Sequence, residues 1–338
     1  MANKKIGAQT VVFERRPYLI GRGNIGGKKE GEGPLASCFD QILEDDMFGE
    51  KSWEKAECRM LQTAMEKAMK RAGLKKENID IMLSGDLINQ IMTSSFAARD
   101  LHIPFLGLYG ACSTMAESLL LASMTVSGEF AQKVVAMTSS HFASSERQYR
   151  FPLGYGGQRT PTAQWTVTGS GAALVCAEGK GPVIESATVG TVTDLGIKDA
   201  NNMGAAMAPA AFATIKAHFE DCHVSDSDFD LIVTGDLGQL GKEALLALAR
   251  KEGLTLGGKL TDCGTLVFDL NKQDVHSGGS GCGCSAITLC SHLLNQLKSG
   301  KLKRILFCGT GALLSPTSTQ QGLPIPGVCH AVSISGGK

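Results

Sequence analysis

The sequence predicts an α/β fold built from two related halves, with parallel strands covered by helices. Three observations carry this. Residues 79–87, IDIMLSGDL, return as FDLIVTGDL at 229–237, with Asp80/Asp230, Gly85/Gly235, Asp86/Asp236 and Leu87/Leu237 identical. Residues 110–120, GACSTMAESLL, are matched in the same order by CGCSAITLCSH at 282–292. Both copies of that second segment run into Ser-Gly, at 127–128 and 299–300. A short apolar stretch follows each time, KVVAMTSS at 133–140 and RILFCGTG at 304–311. Two matches in one order argue for duplication about a pseudo-twofold axis rather than chance.

The elements follow along the chain. The opening MANKKIGAQTVVFERRP has no apolar core of signal-peptide length. GRGNIGGKKEGEG at 21–33 lacks phosphate-loop spacing, since Lys28 is followed by Lys29, and reads as a charged surface loop. KSWEKAE at 51–57 and KRAGLKKEN at 70–78 read as solvated faces. Between them Met60, Leu61, Ala64, Met65 and Ala68 recur at helical spacing, so a helix leads into the first repeated strand. AFATIKAHFEDC takes that place in the second half. IMLS and LIVT are uninterrupted apolar runs, as strands covered on both faces must be. The second half carries extra residues within 238–281.

Composition narrows the function. At 338 residues the chain is long enough for two domains or one large two-part unit. Lys+Arg and Asp+Glu both number 33, so the chain lacks the basic field that drives nucleic-acid or anionic-lipid binding. An odd count of eleven cysteines on a chain this long does not read as a disulfide framework, so a reducing, cytoplasmic-type compartment is expected. No C-x-x-C pair occurs, Cys282-Gly-Cys284 is a weak metal signal, and no metal or cofactor is expected. No apolar run approaches the length of a membrane span.

The candidate for chemistry is Cys112. Leu106, Leu108 and Tyr109 end a strand, Gly110-Ala111 makes a tight corner, and Ser113 through Ser127 form the next helix. A cysteine there meets unpaired N–H groups and the positive end of a helix dipole, which favour a thiolate nucleophile. The same corner suits a carboxylate without covalent chemistry, and a buried cysteine acting as a small hydrophobe is the plainer reading for most of the eleven.

The duplicated halves, the G-A-C-S corner, TGSGAALVCAEG at 168–179 and the CGTGA turn at 308–312 resemble the thiolase superfamily of thiolases and ketoacyl synthases. Within it the chain is most similar, notably over ERQYRFPLGYGGQRTPTAQWTVTGSGAALV at 146–175, to the thiolase-like components of the SpoVA system. That resemblance implies a layered α-β-α-β-α fold with an N-terminal half at 1–180 and a C-terminal half at 181–338. It implies Cys112 as the acyl-accepting nucleophile and Cys308 as the second cysteine. The histidines of the family are missing. The thiolase segment falls on SGCGCSA at 280–286, placing Ser280 at the histidine position, and the synthase segment falls near TGDLGQ at 234–239. His276 is the nearest candidate base. Losing base and oxyanion donor together costs orders of magnitude in rate.

The resemblance therefore implies a soluble component that binds dipicolinic acid beside membrane-embedded SpoVA proteins at the spore inner membrane, as a homodimer. The alternative is an acyl-CoA or acyl-carrier acyltransferase or condensing enzyme using Cys112. A planar dianion needs donors and a flat apolar wall. Cys112, Ser113, Arg147, Arg159, His276 and Ser280 are the expected ligands. The loop 145–165 also holds Tyr149, Arg150, Phe151, Tyr155 and Trp165, residues that equally suit a subunit interface. Asp86 and Asp236 would matter if calcium accompanied the ligand; the plainer reading is a turn or cap after a strand.

Overall fold

The computed structural model describes residues 4–149 and 159–337; Arg150, Phe151 and Tyr155 lie outside the described residues. In the first half, β1 (Lys4–Ile6), β2 (Thr10–Val12) and β3 (Tyr18–Gly26) lead to α1 (Trp53–Ala72), β4 (Ile81–Gly85), α2 (Met92–Leu101) and β5 (Phe105–Gly107). α3 (Thr114–Ser127), β6 (Lys133–Ser140), α4 (Phe142–Tyr149), β7 (Trp165–Thr166) and β8 (Gly169–Cys176) complete it. The second half runs β9 (Val183–Thr188), α5 (Met203–Cys222), β10 (Leu231–Thr234), α6 (Gly238–Lys251), β11 (Leu260–Asp262), α7 (Cys263–Val267) and β12 (Gly279–Ser280). α8 (Cys282–Thr288), α9 (Leu294–Lys298), β13 (Arg304–Ala312), α10 (Pro316–Gln320) and β14 (Gly327–Ser335) follow.

The strands lie in the order β11-β10-β13-β14-β9-β3-β8-β6-β4-β5, which reads the same from either end once β3 is matched to β9, β4 to β10 and β8 to β14. Pairing directions repeat as well. β4 is parallel to β5 and β6, as β10 is to β11 and β13. β8 and β14 are antiparallel to their neighbours. The repeat thus marks a duplicated unit, but each half is a mixed sheet. The antiparallel strands escaped the sequence reading because β8 is buried on both faces and has no alternating pattern.

β3 and β9 share a single pair, Tyr18 with Val183, so the two sheets stack rather than extend one another, and β2 crosses between the halves by pairing with β9 from Thr10–Thr188 to Val12–Ser186. Between them α3 packs on β4, β6 and β8 of its own half and on β13 and β14 of the other. α1 covers the outer face of the first sheet, and α5 with α6 covers that of the second. Three separate cores result: a central one around Leu119, Leu289 and Phe307, and outer ones around Met60 and Phe219. This is the five-layered arrangement.

α1 shows why local sequence gives local structure. Ser52 caps it by accepting from the Lys55 N–H, Gly73 ends it at φ +64, and Met60, Leu61, Ala64, Met65 and Ala68 line its buried face. The helix sits so close to β3 that a Cβ at Gly23 would lie 2.0 Å from the Ala64 carbonyl oxygen. Gly23→Ala is therefore expected to destabilise the fold by about 2–3 kcal/mol, read as a lower denaturant midpoint. An unchanged midpoint would contradict this packing.

Candidate functional site

The corner forms as the sequence suggests but does not activate the sulfur. After β5 the chain turns through Gly110; Ala111 adopts φ +48, a strained value for a residue with a Cβ. Ala111–Ser113 make one 3₁₀ turn before α3 begins at Thr114. Ser113 Oγ donates to the Gly110 carbonyl at 2.7 Å and Thr114 Oγ1 to the Ala111 carbonyl at 2.7 Å. Glu117, one turn along α3, accepts from the Gly110 N–H, and burial holds its carboxyl above the usual range. From the other half, β13 presses on this corner: a Cβ at Gly311 would lie 2.5 Å from the Gly110 oxygen.

Cys112 is buried, and the Asp236 carboxyl faces its sulfur. Burial pushes its thiol far up, and the Asp236 charge pushes it further. The sequence reading favoured a thiolate; the structure reverses this, because desolvation and a facing acid outweigh one helix end. None of the seven histidines faces the sulfur among these contacts. His141 bonds the Asp46 carbonyl, His218 the Thr188 hydroxyl and His330 the Gly190 N–H, while His276 lies 3.4 Å from Asp274. His102 and His223 terminate α2 and α5, and His292 sits in the π-helical turn Leu289–Leu293.

Asp236 occupies the centre of the site. It is fully buried at the turn after β10. Its Oδ1 accepts from Thr310 Oγ1 at 2.8 Å, and its Oδ2 from the Gly281 N–H at 2.8 Å and Ser280 Oγ at 3.4 Å. Burial raises its carboxyl to about 7 against those donors. The turn is held by Asp262, which accepts from Thr234 Oγ1 at 2.7 Å and from the N–H groups of Leu237, Gly238 and Gly264 at 2.8–3.0 Å. Gln164 ties the turn to β12 by donating to the Asp236 and Gly279 carbonyls.

A narrow cavity of about 40 Å³ opens beside Cys112, between the halves. Leu87, Tyr149, Met203 and Leu314 give it apolar walls. Cys112, Ser145, Glu146, Thr166 and Ser280 give it polar atoms. Glu146 accepts from Thr166 Oγ1 at 2.9 Å. Ser145 Oγ is buried without a hydrogen-bond partner. Outside lies a recess of about 430 Å³ that shares Leu87, Ala111, Tyr149 and Leu314 with the cavity. Tyr149 stands between the two, its hydroxyl donating to the Leu87 carbonyl at 2.6 Å.

Of the residues expected from sequence, Cys112 and Ser280 line the cavity together. Ser113 is turned to the Gly110 carbonyl. Arg147 pairs with Glu54 and lies over Trp53. Arg159 pairs with Asp274 at 2.9 Å, beside His276 and over Trp165, on whose ring Lys29 also rests. Cys308 lies in the outer core of the second sheet with Cys329, inside a continuous strand rather than the expected turn. Asp86 caps the turn after β4, accepting from the Ile88 and Ser94 N–H groups. Among the described residues no group of His, Cys, Asp and Glu could hold a metal ion. The sequence reading missed Ser145 and Glu146 as cavity groups, named Tyr149 only among the loop aromatics, and named Asp236, which lies behind the cavity, only as a group for calcium. The signal for Asp236 was its place in TGDLGQ, where the resemblance calls for a histidine.

Comparison with known proteins agrees with this architecture. Solved structures of the same fold include the 3-oxoacyl-acyl-carrier-protein synthase III of Aquifex aeolicus VF5, with TM-score 0.58, 14% identity, and 94% and 99% of the two chains covered. Human mitochondrial 3-ketoacyl-CoA thiolase gives 0.59 and 13%, covering 97% and 99%. Xanthomonas campestris OleA gives 0.61 and 13%, covering 96% and 100%. Identities this low bear on the fold alone. Stage V sporulation protein AD of Bacillus subtilis (strain 168) is 46% identical over 329 residues, 97% of each chain. The profile of the family described as Stage V sporulation protein AD matches residues 7–335. The chain is a member of the SpoVAD family, built on a thiolase-like scaffold.

Proposed function

We propose that this SpoVAD-family chain is the dipicolinate-binding component of the SpoVA system, a condensing-enzyme scaffold that holds a ligand without turning it over. The observation that carries this is the cavity lining: Cys112 stands there with Ser145, Glu146, Thr166 and Ser280, and no histidine is among the described lining residues. Condensation needs a thiolate and a proton-transfer partner poised for it. Here an acid faces the sulfur and burial keeps it a thiol. What persists is a cradle: apolar walls for a flat ring, hydroxyls at Ser145, Thr166 and Ser280 for carboxylates, and a wider recess leading in. The two halves, 1–180 and 181–338, each supply part of it. No described helix is long and apolar enough to cross a membrane, so transport would rest on membrane-embedded SpoVA partners. Edge strand β5 and the residues just after it, with Leu106 57% and Tyr109 64% exposed, offer a face for a homodimer.

Isothermal titration with dipicolinate tests the reading. Saturable heat is expected, and none at all would remove it. Cys112→Ala is expected to keep binding within about tenfold, since a thiol is a weak donor. Incubation with acyl-CoA thioesters of several chain lengths is expected to leave the intact mass unchanged. An adduct on Cys112 would reinstate an acyltransferase.

A further inference from the structure

We propose that Asp236 sets the hydrogen-bonding polarity of the cavity, and that an anionic ligand binds together with one proton, which Asp236 holds. The proposal rests on the dicarboxylate reading above and names the charge partner which that reading leaves open.

Asp236 does not line the cavity; it lies one layer behind it. Of the residues that do line it, Ser280 is bonded to its carboxyl through Oγ at 3.4 Å, and Cys112 faces the same carboxyl. Thr310 Oγ1 and the Gly281 N–H complete the set. An ionised carboxylate only accepts hydrogen bonds. While Asp236 carries charge, the Ser280 hydrogen points inward to it, and the hydroxyl's lone pairs face the cavity. Glu146 on the same wall adds another acceptor. Among the described lining residues none is basic. A dianion entering this space would meet lone pairs and negative charge at low dielectric, which is strongly unfavourable.

One proton reverses the arrangement. Protonated Asp236 becomes a donor and no longer needs the inward Ser280 hydrogen. Ser280 is then free to donate into the cavity, toward a ligand carboxylate. Ser145, buried and unpartnered on α4, supplies a second hydroxyl.

The neighbourhood favours such a proton. The titratable groups facing Asp236 are Cys112 at the corner, Asp262 and Cys263 at β11 and α7, and Cys282 and Cys284 on α8. Beyond them lie Glu146 and Tyr149 on α4, Asp86 after β4 and Glu57 on α1. All are acids or neutral groups. Burial brings the Asp236 carboxyl to about 7, within reach of a single proton near neutrality.

Titration calorimetry with dipicolinate in buffers of different ionisation enthalpy counts the protons. Dipicolinate is itself a dianion from pH 6 to 8.5, so it contributes none. The wild-type protein is expected to take up close to one proton at pH 8.5 and far less at pH 6. Its affinity is expected to fall about tenfold per pH unit above neutrality. Asp236→Asn, which can both donate and accept, is expected to bind with the same affinity at pH 6 and 8.5 and to take up no proton. Wild-type binding with no proton uptake at either pH overturns this proposal and leaves the ligand reading standing. Uptake that survives in Asp236→Asn also overturns it, because the proton then sits elsewhere. No heat at any pH removes the ligand reading itself. The wild-type count decides the proton question even if the variant fails to fold.

Discussion

Asp262→Ala is expected to destabilise the protein by at least about 4 kcal/mol and to abolish ligand binding in whatever folded fraction remains. The carboxylate is fully buried and satisfies four donors: the Thr234 hydroxyl and the N–H groups of Leu237, Gly238 and Gly264. Three of these belong to the turn that carries Asp236 and starts α6. Alanine would leave them buried without partners, at about 1–3 kcal/mol for each group that cannot reach water or another acceptor. The turn would rearrange and take Asp236 away from Cys112 and Ser280. Asp262→Asn keeps one accepting oxygen and should fall between wild type and alanine. Urea denaturation checks the ordering. An alanine variant within about 1 kcal/mol of wild type would show that the turn is held by something else.

Asp262 also marks where the sequence stops speaking. The repeat IDIMLSGDL/FDLIVTGDL is legible because apolar runs and glycine turns are local signals, and they gave the duplicated α/β scaffold directly. The function of the two aspartates is not local. Asp86 and Asp236 occupy identical positions in the repeat, yet one caps its own turn and the other is bonded by Ser280, Gly281 and Thr310. What separates them is the passage from β12 into α8, which brings Ser280 and Gly281 to Asp236. The arginines misled for a related reason. Arg147 sits in a cluster of aromatic and basic residues, but α4 turns Ser145, Glu146 and Tyr149 to the cavity and Arg147 to Glu54. Helical phase decided that, and a loop reading of 145–165 has no phase. Ser280, by contrast, was found through a position rather than a pattern, and it lines the cavity.

A second large effect concerns pH. Stability is expected to be greatest on the mildly acidic side and to fall steadily between pH 6.5 and 8. Six carboxyls stand above their ordinary range: Glu30 and Glu57 at about 8, Asp236 at about 7 and Asp86 at about 6, with Glu117 and Asp262 also raised, each chiefly through burial. Such groups stay protonated in the folded chain and ionise in the unfolded one. Their contribution is complete below the unfolded values, 4.5 for Glu and 3.8 for Asp, and is lost as pH rises through the folded ones. Two buried histidines act in the opposite sense. His218 and His330 are held down to about 4, so they favour the folded chain above 6.5 and cost stability as pH falls from 6.5 to 4. Between about 4.5 and 6.5 the two sets oppose each other. Above 6.5 the histidines are neutral in both states and only the carboxyls act. Each pKa unit corresponds to about 1.4 kcal/mol, so the decline toward pH 8 should amount to several kcal/mol. Urea midpoints at pH 5.5, 6.5 and 8 read it directly. Glu57→Gln, which keeps the hydrogen bonds to Ser139 and Ser144 within reach while removing the titration, should flatten the alkaline limb. A midpoint that holds constant or rises from pH 6.5 to 8 would mean that these carboxyls are ionised in the folded protein, and that a cation or a solvent path reaches the centre of the scaffold.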